Sequence, residues 1–119
     1  MYLAWVILRG LGGKELVLQS GDTYNWVRSG EVTGRDLLFT KLDGKFFDQL
    51  LSPEGKAFTK SYYETNGYAN DYDRVLGGDL PTLYHVQDTW ENFEKLSRVL
   101  DERFAAWRAL GGTAPTTPV

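Results

Sequence analysis

The chain contains no cysteine. Disulfide cross-links, zinc–thiolate sites and cysteine nucleophiles are therefore excluded. Histidine is nearly as scarce, with His85 the single copy. A serine–histidine–acid site would need a nucleophile-elbow glycine pattern, and none surrounds Ser20, Ser29, Ser52, Ser61 or Ser97. Excess basic charge is missing too. The formal net charge is −3 and the pI about 5.1, which disfavours a nucleic-acid binder, since phosphate contacts need a basic patch. Long apolar runs are absent. The longest, MYLAWVIL at the start, falls far short of the ~20 residues that span a bilayer, and it lacks the basic start and cleavage site of a signal peptide.

What remains is ordinary globular material. Of 119 residues, 42% are hydrophobic and 24% charged, enough for a core that folds without staples. A cytoplasmic location fits the lack of cysteine. The acidity is local: residues 61–87 hold Glu64, Asp71, Asp73 and Asp79 against Arg74 alone.

The strongest pattern covers residues 88–110. Trp90, Phe93, Leu96, Leu100, Phe104, Trp107 and Leu110 recur at three- and four-residue spacing and form one apolar stripe. Asp88 with Glu91 resembles a capping box at the start, and Gly111-Gly112 supply a left-handed stop. Glu91 with Lys95, and Glu94 with Arg98, place acid before base on the outer face.

Shorter helices are expected before it. Residues 1–8 read as a buried helix closed by Gly10, and residues 14–18 as helix or strand. Asp22 is expected to cap a short helix ending at Gly30. Thr33 with Asp36 forms a capping box that starts a helix burying Leu37, Leu38 and Leu42. Asp43-Gly44 marks a turn. Ser52-Pro53-Glu54 starts a helix that runs through Phe58 to about Thr65, stopped by Asn66-Gly67. Asn70 or Asp71 opens another, closed by Gly77-Gly78, and residues 80–86 read as extended because Pro81 cannot lie inside a helix. The fold class is thus mainly α. Residues 1–110 are expected to form a single helical domain and residues 111–119 a disordered tail. A helix beginning at Met1 has nothing to cap it, so either an upstream segment precedes it or its first turn frays.

No metal or cofactor pattern stands up. Asp71-Tyr72-Asp73 fails as a calcium loop, because Leu76 and Thr82 occupy the sixth and twelfth places where glycine and glutamate belong. Gly10, Gly12 and Gly13 make no dinucleotide fingerprint. Asp43, Asp48 and His85 would have to converge to form a metal-dependent hydrolase, which is the weakest reading. The unusual stretch is SYYETNGYANDY, residues 61–72, with four of the seven tyrosines. Tyrosines are rigid, amphipathic and favoured in protein-binding surfaces. One of Tyr62 and Tyr63 is expected in the core, with Tyr68 exposed in a loop.

MYLAWVILRGL, then VTGRDLLF…LDGKFFDQLLSPEGKAF…YY, then LPTLYHVQDTWENFEKLSRVLDERFAAW resemble an uncharacterised bacterial domain family, over roughly residues 1–108. Its members are small cytosolic proteins of polymorphic-toxin neighbourhoods, regarded as immunity proteins, and carry an extra segment before the stretch matching Met1. The resemblance implies a binding protein rather than an enzyme, with a cognate toxin as partner; neither cofactor, nucleic acid nor membrane is expected. Glu64, Tyr68, Asp71, Tyr72 and Asp73 are the expected partner contacts. An accessory domain of a larger chain is the main rival.

Overall fold

The hydrophobic start of the chain forms helix α1, Tyr2–Leu8, and six consecutive residues of it, from Tyr2 to Ile7, are buried. A helix that is apolar all round must be covered all round. In this computed structural model, which describes residues 1–46, 48–78, 80 and 86–111, helices make up the regular structure. Seven α-helices are present among the described residues, with one 3-10 turn at Asp48–Leu50 and one π-helical turn at Asp73–Gly77. The chain divides into two compact units, Met1–Lys56 and Ala57–Val119.

In the first unit, α1 packs against α3 (Asp22–Ser29) and α4 (Gly34–Lys41), and α2 (Lys14–Ser20) packs against both of these and the 3-10 turn. Gly34 makes the α1–α4 approach possible: a Cβ there would sit 2.8 Å from the Ala4 nitrogen and 2.9 Å from its Cβ. The capping box of α4 is present, with Thr33 accepting from the Asp36 amide and Asp36 accepting from the Thr33 amide. Leu37 and Leu42 are buried, whereas Leu38 is only half-buried. Residues 14–18, ambiguous in sequence, are helical. Asp22 is not a cap: it is the first helical residue of α3, and Gly21 holds the cap position with a φ of 57°. The only pairing of extended backbone among the described residues is the isolated bridge between Gly12 and Leu51.

Helix α5, Pro53–Tyr62, contains the boundary between the units. Ser52 caps it, accepting from the Gly55 amide at 3.1 Å. In the second unit, α6 (Gly67–Tyr72) runs into the π turn, and both pack against α7, Trp90–Ala109. The core here is aromatic. Phe58 stacks on Tyr62 at 5.2 Å and meets Phe104 and Trp107 edge-on at 5.1 and 5.5 Å. The stripe of α7 buries Phe93, Leu96, Leu100 and Trp107, but Leu110 past its end is exposed. Thr89, not Asp88, is the N-cap, accepting from the Asn92 amide at 3.2 Å. Two buried polar atoms, Ser20 Oγ and Trp107 Nε1, have no hydrogen-bond partner among the described residues. The expected extended segment lies outside the described residues except for Leu80 and Val86, and so does the tail beyond Gly111.

Candidate functional site

The tyrosine-rich stretch folds into a tight corner between α5 and α6. The amides of Tyr63 and Glu64 both donate to the Thr59 carbonyl, and Thr65 Oγ1 donates to the Ser61 carbonyl at 2.7 Å. Asn66 then takes the left-handed conformation at φ 69°, which asparagine tolerates better than most residues. Gly67 begins α6 against Tyr62, where a Cβ would meet the Tyr62 carbonyl oxygen and ring at 2.7 Å. Helix α6 therefore starts at Gly67, three residues before the Asn70 expected from sequence. Asn70 and Asp71 are interior positions.

The corner sorts its side chains by face. Tyr62 is buried and Tyr63 exposed, so one of the pair is core, as expected. Tyr63 stacks on Tyr68 with ring centroids 5.0 Å apart and planes 16° from parallel, and Tyr68 leans on Tyr72 at 5.8 Å. Three tyrosines thus form a continuous ladder. Tyr68 lies on α6 rather than in a loop, and it is half-buried, as is Tyr72. Glu64 and Asp73, the residues after Tyr63 and Tyr72, are exposed.

Asp71 is turned into an internal hydrogen-bond network. It is 5% exposed, and its carboxylate accepts from four groups. Arg103 on α7 donates from Nε at 2.9 Å and from Nη2 at 3.0 Å. The Tyr62 hydroxyl donates at 2.7 Å and Arg74 Nη2 at 3.4 Å. Burial by itself would raise the Asp71 pKa, but the hydrogen bonds from Arg103, Tyr62 and Arg74 and the charge of Arg103 hold it below the usual 3.8. The same hydrogen bond raises the pKa of Arg103. The two-pronged guanidinium–carboxylate geometry is the strongest form of such a pair.

Of the five expected contacts, the fold therefore brings Tyr68 and Tyr72 together in the ladder and leaves Glu64 and Asp73 exposed beside it. Asp71 is turned inward. Tyr63 was missed, although SYYE signals it: in a helix, two adjacent tyrosines cannot both face the core.

The other constellations gain no geometry. Asp43, at φ 54°, and Asp48 are both exposed in the first unit, and His85 lies outside the described residues. No three histidine, cysteine or acidic side chains gather as metal ligands would among the described residues. No helix among them is long and apolar enough to cross a membrane.

The family described as domain of unknown function DUF7832 matches residues 1–86, and the chain belongs to it. No curated protein and no solved structure matches. The matched segment contains the whole tyrosine ladder and Asp71, but stops short of α7 and Arg103.

Proposed function

We propose that the protein is a binding protein of the immunity type, which occludes a cognate toxin in the bacterial cytoplasm through the tyrosine ladder. The observation that carries this reading is the ladder itself: Tyr63 stacked on Tyr68, Tyr72 tilted against Tyr68, and Tyr63 41% exposed. Stacked tyrosines lose little side-chain entropy on binding and bring large amphipathic area to an interface. Glu64 and Asp73 beside them favour a partner with a basic face, so charge speeds the encounter and the rings slow dissociation. The immunity role itself comes from the resemblance of the sequence to proteins of toxin neighbourhoods.

The test is co-expression with the product of the adjacent gene. A stoichiometric complex that protects the cell from that product supports the reading. In such a complex, Tyr63→Ala with Tyr68→Ala should weaken affinity by at least about tenfold, the usual scale of an aromatic hot spot. Unchanged affinity removes this surface from consideration.

A second reading, an accessory interaction domain, is favoured by one observation. In the first unit Leu18, Trp26 and Phe39 are exposed by 75%, 47% and 59%. Helix α1, by contrast, is buried from Tyr2 to Ile7. Concentration-dependent association lost on Leu18→Ser and Phe39→Ser would support this alternative.

A further inference from the structure

The lock, meaning the Asp71 carboxylate with its four donors, and the ladder are built from neighbours in sequence. Tyr62 points inward and Tyr63 outward; Asp71 points inward and Tyr72 outward. Helix α6, which carries Tyr68 and Tyr72, has only six residues. A helix that short does not hold its own shape, and its position is set by what it is tied to. One tie is the fit of Gly67 against Tyr62. A second is Asp71, held by Arg103 from α7, by the Tyr62 hydroxyl from α5 and by Arg74 from the π turn.

We infer that Arg103 is the positioning residue of the tyrosine surface: by fixing Asp71, it sets where Tyr68 and Tyr72 stand against Tyr63. The guanidinium is planar and grips both carboxylate oxygens, so it fixes orientation as well as distance. A lysine at the same place supplies charge without the fork. The surface lies in the segment matched by the family, while the residue that sets it lies beyond residue 86. The ladder is therefore completed by a helix outside that segment. This inference rests on the binding reading only for its effect on affinity; its effect on the rings stands alone.

The experiment is aromatic NMR of the full chain with labelled tyrosines, with no partner present. Rings stacked as closely as Tyr63 and Tyr68 shield one another, and their signals lie displaced from those of free tyrosine. In Arg103→Gln the Tyr68 and Tyr72 signals should move toward the free positions, while Tyr2 and Tyr24 in the first unit stay in place. Arg103→Lys should give a partial shift. Unmoved Tyr68 and Tyr72 signals in folded Arg103→Gln overturn the inference, and so does an equal shift of all the tyrosines, which would mean general loosening. If Arg103→Gln does not fold, Arg103→Lys decides, and unmoved rings there overturn it as well. Ring shifts in Arg103→Gln with normal affinity in Tyr63→Ala, Tyr68→Ala would sink the binding reading and leave this inference intact.

Discussion

Around α1 the buried side chains are Leu3, Ala4, Val6 and Ile7 with Trp5 and Tyr2, and nearly every one is a hydrocarbon surface. Around α7 the aliphatic Leu96 and Leu100 are buried together with the aromatic Phe58, Tyr62, Phe93 and Trp107, and all of these are set beside a carboxylate that is almost wholly buried. The first unit is held by close approach, made possible by Gly34, and its contacts are non-directional. The second adds a directional element, because the Asp71 carboxylate satisfies four donors only in one arrangement. The contrast separates two tasks: hydrocarbon burial supplies stability per unit area, whereas a fully bonded buried polar network specifies a position. A ladder of tyrosines that must stay in register needs the second kind.

Three substitutions press on this contrast. The largest loss is expected from Trp5→Ala, since Trp5 is fully buried. Removing so large a side chain should cost about 3–5 kcal/mol, read by urea denaturation, with the loss constant from pH 4 to 8. A loss that varied strongly with pH would mean that the first unit also leans on a titrating group.

Asp71→Asn comes next, at about 2 kcal/mol, because the charge-assisted hydrogen bonds from two half-exposed arginines to a buried carboxylate are lost while the hydrogen-bonding shape is partly kept. Its signature is in the pH profile. The folded-state pKa of Asp71 lies below its ordinary 3.8. Its contribution is therefore full above the unfolded value and disappears as pH falls through the folded value. The wild-type chain should lose stability on acidification below about pH 4, and Asp71→Asn should lose less over the same range. Parallel acid profiles for the two proteins would count against the lock. Residue-resolved hydrogen exchange should also show the loss at α6 and α7 first.

The smallest effect is expected from Thr33→Ala, which removes one half of the α4 capping box. That should cost about 1 kcal/mol, with hydrogen exchange faster only at the first turn of α4. Spread to the second unit would show that the units are not separable in this way.

Sequence carried most of the architecture because helix signals are local. Thr33 with Asp36, Ser52 before Pro53, and the stripe from Phe93 to Trp107 each lie within a few turns of what they organise. The misses have other causes. Thr89 took the cap from Asp88 within one residue, where two good capping side chains compete. Leu110 closes the stripe in spacing but falls past the last turn, where it is 57% exposed. Asp71 read as a surface acid because its partner, Arg103, is 32 residues away, and no periodicity links them. The ladder was half legible: adjacent tyrosines signalled that one must face outward, but the corner that stacks Tyr63 on Tyr68 depends on the backbone of Asn66 and Gly67.

The π turn at Asp73–Gly77 has a consequence for length. Such a turn holds one residue more than the α-helical turn it replaces. Deleting a single residue there would let plain α-helix continue, and every later position of the segment would swing by about 100° around the axis. Tyr72, just before it, would keep its facing while Leu76 would not. Among related chains, a one-residue gap in this stretch would therefore change what the surface presents, although it would look like the mildest of edits.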